Sequence, residues 1–256
     1  MTTILQLTDL HLLSDPVGEL KGVRTRELVE GVMCYLRREQ QAGRLHFDHL
    51  VITGDLAHDE QRETYVVLRE MLGDWVSRCH LIPGNHDSRQ YLREIFPALW
   101  PEDDGWRTFS FEVGGWRLIG LDSHVPGEVS GHVDEAQLVW LRRQFAEHSD
   151  QPAIVFLHHP PFSVESSWLD RIGVANAEEV LAAICSSQQV RAIACGHVHQ
   201  AFESEFHGVR LLTTPAASLQ FKPHTEELQL DDIGPGFRKL SLESSGFSSE
   251  VIRVAG

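Results

Sequence analysis

Acidic, amide and imidazole side chains recur directly after short apolar stretches of this 256-residue chain. An apolar stretch of this length predicts a buried strand, and sites in α/β proteins are built where strands end. Five stretches share the pattern, so we expect their polar ends to meet at one point in space. The residues that follow them are Asp9 and His11, Asp55 and His58, Asn85, His86 and Asp87, His158 and His159, and His197 and His199.

Together these side chains have the chemistry of a metal centre. Carboxylate, amide and imidazole donors without thiolate suit iron, manganese, zinc or cobalt better than copper(I) or an iron–sulfur cluster. Asp9 and His11 are two residues apart, as are His197 and His199, so each pair could chelate from an extended strand end. A single histidine at a strand end is more often a hydrogen-bonded loop residue, and Gly-Asn-His-Asp alone is a good turn. The combination of all five stretches favours ligation.

The predicted donor set has seven members, which is too many for one ion and appropriate for two. A carboxylate can bridge two cations about 3.5–4 Å apart, and such pairs hold the attacking and leaving oxygens of a phosphoryl displacement. Asp55 is the predicted bridge, because Gly54 before it lets another backbone segment come close. The predicted chemistry is therefore two-metal hydrolysis of a phosphate ester.

Apolar strands alternate with helical periodicity along the chain, which predicts an α/β fold. Two segments indicate hairpins instead, TFSFEVGGWRLIGLD and the C-terminal FRKLSLESSGFSSEVIRV, so a mixed sheet or two packed sheets with helices outside is predicted. The predicted strands are 4–8, 49–53, 79–83, 117–121, 153–157, 191–195 and 209–214. The predicted helices are 24–40, 60–73, 88–96, 134–147 and 176–186, the last capped by Asn176 or its neighbour.

One domain over residues 1–256 is predicted, because no repeat or change of composition divides the chain. Residues 216–256, a loop and the closing hairpin, are expected to complete the sandwich or its rim. The loops 122–133, 160–175 and 216–236 are long and polar, and we expect them to border a cleft.

Composition narrows the classes of partner. The formal net charge is −15, so nucleic acid and anionic membranes are not expected as partners. The N-terminus MTTILQLTD has neither a basic flank nor a long apolar stretch, which predicts a cytoplasmic protein without a signal peptide or membrane anchor. The four cysteines form no CxxC pair and are predicted to be reduced, mostly buried thiols. Fifteen histidines are a surplus that agrees with metal chemistry.

The five polar blocks carry a resemblance to a known superfamily. Asp9-x-His11, Gly54-Asp55, Gly84-Asn85-His86-Asp87, His158-x-Pro160 and Gly196-His197-x-His199 resemble the signature of the calcineurin-like metallophosphoesterases. Further stretches, namely LQLTDLHL, WLD at 168–170, CGHVHQ, QFKPH and GPGFR at 234–238, are similar to bacterial class III 3′,5′-cyclic AMP phosphodiesterases of the CpdA type. The superfamily implies a four-layer α/β/β/α sandwich with two mixed sheets flanked by helices. The loop 124–133 and the last residues depart from the family pattern.

The resemblance also implies a role for each residue. His86 would contact the phosphate or protonate the departing 3′ oxygen, and Asp87 would orient the His86 ring. A hydroxide that bridges two divalent metals would open cyclic AMP to 5′-AMP. The implied metals are Fe²⁺ or Mn²⁺ in the first place and Zn²⁺ or Co²⁺ in the second. One metal is implied for Asp9, His11 and His199 and the other for Asn85, His158 and His197, with Asp55 shared. Substrate contacts are implied for His11, Asp55, Asn85, His86 and His199.

Other residues near these blocks are given lesser roles. His159 is expected to pack or hydrogen-bond beside the site, Lys222 is a candidate phosphate contact, and Cys195 is expected to be a buried strand residue. His58, His124, His132 and His224 are predicted to be surface or loop histidines.

Two rival functions remain open. The same metals could serve another ester, such as a glycerophosphodiester, a 2′,3′-cyclic nucleotide or a phosphomonoester, or the fold could be a non-catalytic scaffold. Retention of all seven donors argues against the scaffold. The expected partner is a small cyclic nucleotide, and the C-terminal hairpin could also pair across a homodimer.

Overall fold

Two mixed β-sheets pack face to face, and helices cover their outer faces. The structure, a computed structural model, describes residues 1–100 and 105–255. The strands are β1 (Thr2–Leu7), β2 (His49–Thr53), β3 (Cys79–Ile82), β4 (Phe109–Val113), β5 (Trp116–Gly120), β6 (Ala153–Leu157), β7 (Val190–Cys195), β8 (Phe202–Phe206), β9 (Val209–Thr213), β10 (Gln220–Phe221), β11 (Leu230–Asp231), β12 (Gly236–Glu243) and β13 (Gly246–Arg253). The α-helices are α1 (Thr25–Gln41), α2 (Arg62–Leu72), α3 (Arg89–Ile95), α4 (Glu135–Glu147), α5 (Ser167–Asp170) and α6 (Ala177–Cys185), and Gly73–Arg78 and Pro97–Leu99 are 3₁₀ turns.

The two large sheets have the strand orders β13-β12-β1-β2-β3 and β4-β5-β6-β7-β9-β8. Within the first, β1, β2 and β3 run parallel, and within the second β5, β6, β7 and β9 do. The hairpins that the sequence predicts add antiparallel strands, β12 and β13 beside β1 in the first sheet and β4 beside β5 in the second. Strand β8 pairs antiparallel with β9 at the other edge of the second sheet. The carboxyl ends of the parallel strands therefore lie along one edge of each sheet, where the predicted donors follow them.

Alternate residues of each strand enter different apolar layers. In β1, Ile4 faces the space between the sheets, whereas Leu5 and Leu7 pack under the helices of the first sheet. In β6, Ile154 faces the inter-sheet space and Val155 faces the helices of the second sheet. Helices α1, α2 and α3 supply the apolar partners on one side, and α4 and α6 supply them on the other. The four-layer sandwich is confirmed.

The secondary structure differs from expectation at β8, at the start of α6, and in the predicted loops 160–175 and 216–236, which contain the short elements α5, β10 and β11. Strand β8 was not predicted, because its sequence FESEF exposes most of its side chains; charged edge strands of this kind protect a sheet from further pairing. Asn176 precedes α6 but makes no side-chain capping bond. Its amide instead accepts from Val133 N at 3.1 Å and donates to Val133 O at 2.9 Å, which ties the loop before α4 to the start of α6.

The C-terminal hairpin belongs to the first sheet, since β12 pairs antiparallel with β1. A buried arginine of β12 connects it to the other sheet. Arg238 donates to Glu203 Oε1 at 2.6 Å and to Thr213 O at 2.7 Å, and its side chain has no exposed surface. Strand β13 remains an outer strand, so pairing across a homodimer stays a prediction. Among the described residues, no helix combines the length and apolar character needed to cross a bilayer.

Candidate metal centre

All seven predicted donors meet at the carboxyl ends of the parallel strands. Asp55 Oδ2 lies 3.4 Å from both His11 Nε2 and His158 Nε2, which places this carboxylate between two groups of donors. On one side, His199 Nε2 is 3.0 Å from His11 Nε2 and 3.4 Å from Asp9 Oδ1. On the other side, Asn85 Oδ1 is 3.2 Å from His158 Nε2 and 3.1 Å from His197 Nδ1.

The backbone at these residues is left-handed rather than extended. Ten non-glycine residues among the described ones have positive φ, and five of them are predicted ligands: Asp9 (53°), His11 (44°), Asp55 (50°), His197 (70°) and His199 (50°). The expectation that the paired donors chelate from extended strand ends is therefore wrong. Backbone bonds between the loops hold this conformation, with His11 N donating to Asp55 O at 2.9 Å. Such strain gathers at functional sites, where the surrounding structure must hold it in place.

Close approach of two loops explains the glycine before Asp55. Gly54 has φ of 94°, and a β-carbon there would lie 2.5 Å from both Gly84 N and His158 Nδ1. A side chain at position 54 would push the loop of Gly84 and Asn85 away from the loop of Asp55. Gly54 thus allows Asn85 and His158 to reach the same point as Asp55.

Hydrogen bonds on the outer side fix the orientation of two of the predicted ligand rings. His158 Nδ1 donates to Thr53 O at 2.7 Å, and His199 Nδ1 donates to Leu219 O at 2.8 Å. A carbonyl can only accept, so each neutral ring carries its proton on Nδ1 and directs the Nε2 lone pair into the centre. Metal-binding histidines are held in this way.

The ionisation of the acidic and imidazole groups at the centre favours binding of a cation. Burial raises the pKa of Asp55, but His158 and His11 outweigh that effect and hold the pKa well below its ordinary value. Burial lowers the pKa of His158, yet the Asp55 carboxylate raises it to about 9. Two buried carboxylates therefore demand positive charge between the donors. When His158 is neutral, its Nε2 lone pair faces the Asn85 carbonyl oxygen, an arrangement that a bound cation stabilises. The residues present fit a pair of divalent metal ions.

Comparison with known proteins agrees with this geometry. The sequence pattern of the calcineurin-like phosphoesterase family matches residues 2–201. The chain belongs to the calcineurin-like phosphoesterase family. It is 37% identical over 98% of its length to a 3′,5′-cyclic adenosine monophosphate phosphodiesterase CpdA of Escherichia coli (strain K12), of which 90% is covered. It is 33% identical, over 98% of its length and 92% of the relative, to a 3′,5′-cyclic-nucleotide phosphodiesterase of Nostoc sp..

The fold is shared with more distant proteins. A dimetal phosphatase from Danio rerio superposes with a TM-score of 0.71 over 99% of both chains at 18% identity. The two mixed sheets and their helices are therefore those of a metallophosphoesterase.

His58 lies at the site, contrary to the prediction of a surface or loop histidine. Its Nδ1 lies 3.2 Å from His11 Nδ1, and its ring centroid lies 4.5 Å from that of His86. His58 therefore contacts the outer nitrogen of the predicted ligand His11, as the carbonyls of Thr53 and Leu219 do for His158 and His199. Its position three residues after Asp55 was a usable signal.

The role predicted for Asp87 requires correction. Its carboxylate accepts from the backbone N–H groups of Leu56, Ala57 and Gly84 and from the Tyr65 hydroxyl, at 2.8–3.2 Å, rather than from the His86 ring. Asp87 thus connects the loop that carries Asp55 with the loop that carries Asn85. Burial and the charge of Asp55 raise the pKa of Asp87 to about 7.

His86 lies at the border between the centre and an adjoining cavity of about 160 Å³. Its backbone N–H donates to Asp55 Oδ1 at 2.9 Å, and its partly buried ring is 5.2 Å from the His11 ring, centroid to centroid. The predicted phosphate contact Lys222 is exposed and does not line this cavity, whereas Lys21 does. The backbone of Lys222 pairs with Gln229, which directs that segment along the rim.

The remaining histidines divide by burial. His159 hydrogen-bonds beside the centre as expected, through Ser123 Oγ at 2.8 Å and Val129 O at 3.0 Å. His124 is buried, contrary to the prediction of a surface residue, because Asp122 accepts from its backbone N–H and draws the loop inward. His132 and His224 are exposed. Cys195 is buried in β7, and the four cysteines are free, although Cys34 is exposed.

Proposed function

We propose that the protein is a metal-dependent phosphodiesterase that hydrolyses 3′,5′-cyclic AMP to 5′-AMP. The observation that carries the proposal is the convergence of seven oxygen and nitrogen donors around Asp55, with the His158 and His199 lone pairs directed inward. The substrate class follows from the names of the relatives that cover nearly the whole chain. A small anionic nucleotide also suits a protein whose overall charge of −15 disfavours nucleic acid and membrane surfaces.

The donor set favours Mn²⁺, Fe²⁺, Zn²⁺ or Co²⁺, since it contains oxygen and imidazole nitrogen but no thiolate. Asp9, His11 and His199 would hold one ion, Asn85, His158 and His197 would hold the other, and Asp55 would contact both. When bound, the two ions would lower the pKa of a water molecule to about 7 and stabilise charge on the phosphate oxygens.

The chain's own side chains supply positioning and proton transfer. Asp87 joins the two loops, so Asp55 and Asn85 keep their spacing when substrate binds. Attack of water on phosphorus breaks the bond to the 3′ oxygen, and that oxygen must gain a proton. His86 borders the cavity beside Asp55 and is the proposed donor of this proton.

Turnover of a substrate panel tests the proposal. Cyclic AMP, cyclic GMP, a 2′,3′-cyclic nucleotide, a glycerophosphodiester and p-nitrophenyl phosphate would be assayed with each of the four metals. We expect cyclic AMP to be hydrolysed at the bond to its 3′ oxygen. Negligible turnover of cyclic AMP beside rapid turnover of another ester would reassign the substrate, and turnover of none would favour a scaffold.

His86→Ala tests the assignment of the proton donor. We expect kcat to fall about 10²- to 10⁴-fold while the metal content of the purified protein stays at the wild-type value. His132→Ala, which removes an exposed histidine, is the matched control. Normal turnover by His86→Ala would remove His86 from the mechanism.

A further inference from the structure

The cavity beside the metal centre has two chemically different walls. One is polar and belongs to the centre itself, with Asp55, Asn85, His86 and His199. Much of the remaining lining is apolar and includes Leu20, Trp168, Ile172, Leu219, Phe221 and Leu228, which we call the apolar wall. Because metal chemistry at phosphorus does not require apolar contacts, this wall calls for a separate explanation.

The apolar wall is a built structure rather than a chance exposure of side chains. Leu219 and Phe221 are buried in a small apolar cluster with Val164, Leu169 and Val198. The wall residues Leu20, Trp168 and Ile172 pack against this cluster. Trp168 Nε1 donates to Thr225 Oγ1 at 3.1 Å, and this bond joins the segment of α5 to the loop after β10. The wall is therefore held from two loops that the sequence indicated as borders of a cleft.

Ring contacts connect the wall directly to a metal ligand. The ring of Phe221 stacks on His199, with centroids 4.1 Å apart and planes 14° apart. Trp168 packs against Phe221 edge to face, with ring centroids 5.2 Å apart. The wall therefore begins at Phe221, which contacts the predicted ligand His199. Its outer residue Leu228 is 38% exposed.

We propose that the apolar wall binds the base of a cyclic nucleotide, an inference that rests on the proposed function. A ribose separates the cyclic phosphate from the base, so a phosphate at the centre puts the base toward the cavity mouth, where Trp168, Ile172 and Leu228 lie. These side chains meet the faces of a base rather than the hydrogen-bonding groups on its edges. A purine ring buries apolar surface there, which a glycerol group does not.

Contact with base faces has a consequence for specificity. Every base has a π-face, so stacking tolerates changes of base, whereas strong rejection needs buried polar groups that pair with base edges. The enzyme should therefore favour cyclic nucleotides over base-free diesters and distinguish adenine from guanine only weakly. We expect kcat/KM for cyclic AMP and cyclic GMP to lie within about tenfold of each other.

Removal of the base from the substrate and of the wall from the protein tests the proposal. The substrates are cyclic AMP and methyl riboside 3′,5′-cyclic phosphate, which lacks a base. The ratio compared is kcat/KM for cyclic AMP divided by kcat/KM for the base-free substrate. In Trp168→Ala this ratio should fall roughly 5- to 150-fold, mainly because KM for cyclic AMP rises. Trp168→Phe should restore most of the ratio, because it returns an aromatic face.

Leu228→Ala is a second test that does not depend on correct folding of Trp168→Ala. Leu228 is a partly exposed rim residue, so we expect its truncation to leave the fold intact. We expect a fall in the same ratio of about fourfold, the value for one methylene group withdrawn from contact. Val139→Ala, which changes an exposed aliphatic residue of α4, is the matched control and should leave the ratio as in the wild type. An unchanged ratio in both wall variants would overturn the proposal, as would rejection of cyclic GMP by more than a hundredfold.

A binding measurement separates failure of the wall from failure of the proposed function. Inhibition of bis(p-nitrophenyl) phosphate turnover by 5′-AMP and by ribose 5-phosphate compares ligands with and without a base. We expect 5′-AMP to bind at least tenfold more tightly to the wild type and to lose this advantage in Trp168→Ala. Equal inhibition by both in the wild type would refute the wall, whatever the enzyme does with cyclic AMP. A tight 5′-AMP complex without cyclic AMP turnover would keep the wall and discard the proposed substrate.

Discussion

Two groups of histidines lie in this molecule, a buried group at the ends of the strands and a partly buried pair within them. The second group is His49 of β2 and His80 of β3, with His49 Nδ1 3.0 Å from His80 Nε2. His80 stacks on Phe111 at 3.7 Å between ring centroids and 7° between planes. In both groups burial depresses imidazole basicity: the pKa of His197 in the centre and that of His80 both fall to about 3.

The groups differ in what surrounds the rings. At the strand ends, Asp9 and Asp55 lie among the histidines, and the backbone is left-handed at both carboxylates and at three of the rings. Around His80 the neighbours are Phe109, Phe111 and His49, on regular strands. Burial and a depressed pKa therefore do not identify a metal site by themselves. Buried carboxylates, inward lone pairs and strained loops distinguish the candidate metal centre from the pair of His49 and His80.

Exchange of Asp55, the proposed bridging carboxylate, should have the largest effect. Asp55→Asn keeps the shape but removes one negative charge that both ions would share, so we expect phosphodiesterase kcat/KM to fall about 10³-fold or more. Metal content, measured on the purified protein, should fall as well. His80→Phe is the control from the other group and should retain both metals and activity. Loss of metals in His80→Phe as well would show that the two groups are not distinct.

Metal removal should lower the thermal stability of the protein, and this loss should depend on the group of residues at the strand ends and not on His80. Cations bind the folded centre and not the unfolded chain, so a metal at 100 times its Kd adds about 2.7 kcal/mol to the free energy of unfolding. For a chain of this size, that raises Tm by about 5–10 °C. Thermal unfolding with chelator and with Mn²⁺ measures the shift. We expect it to persist in His80→Phe and to vanish in Asp55→Asn; a shift of equal size in Asp55→Asn would place the ions elsewhere.

Much of this contrast can be read from the sequence, because local rules govern it. Apolar strands that end in Asp, Asn or His predict the seven donors, and the parallel order of β1, β2 and β3 brings their ends to one edge. The hairpins and helices also follow local periodicity. For the same reason the sequence pattern does not indicate His80 as a donor, because it lies inside a strand.

The rest depends on contacts between distant segments. Whether His58 points inward is decided by the bond between His11 N and Asp55 O and by the left-handed turn at Asp55, which no local pattern shows. Asp87 lies next to His86 in sequence, yet its side chain points to three backbone N–H groups on the other side of the loop. Neighbours in the chain often face opposite ways, so adjacency misled the assignment.

The His11–His58 contact should have an intermediate effect. His58→Ala removes the partner of His11 Nδ1, and loss of such an outer contact costs about 10- to 100-fold in metal affinity or activity. His58→Asn can still accept a hydrogen bond and should recover part of the loss. Titration of the apo protein with Mn²⁺, alongside kcat and KM, checks both variants. Equal defects in the two variants would indicate that packing, and not the hydrogen bond, is what His58 contributes.

The smallest effect concerns pH and the histidines within the strands. Burial lowers the pKa of His80 to about 3, with a further contribution from His49, whereas the ring takes up a proton near pH 6.5 once the chain unfolds. Below pH 6.5 the unfolded state therefore binds more protons than the folded state, and stability falls as the pH drops toward 3. Between pH 7 and 5.5 the loss from this group is about 1 kcal/mol.

Unfolding of the metal-loaded protein in urea, followed from pH 7 to pH 5.5, measures this loss. His80→Phe keeps an aromatic ring against Phe111 but has no proton to gain, so its curve should fall less steeply than that of the wild type by the same amount. His132→Phe, at an exposed position, should follow the wild type. Parallel curves for His80→Phe and the wild type would mean that His80 accepts a proton in the fold as readily as in water, and the contrast between the two groups would then rest on the carboxylates alone.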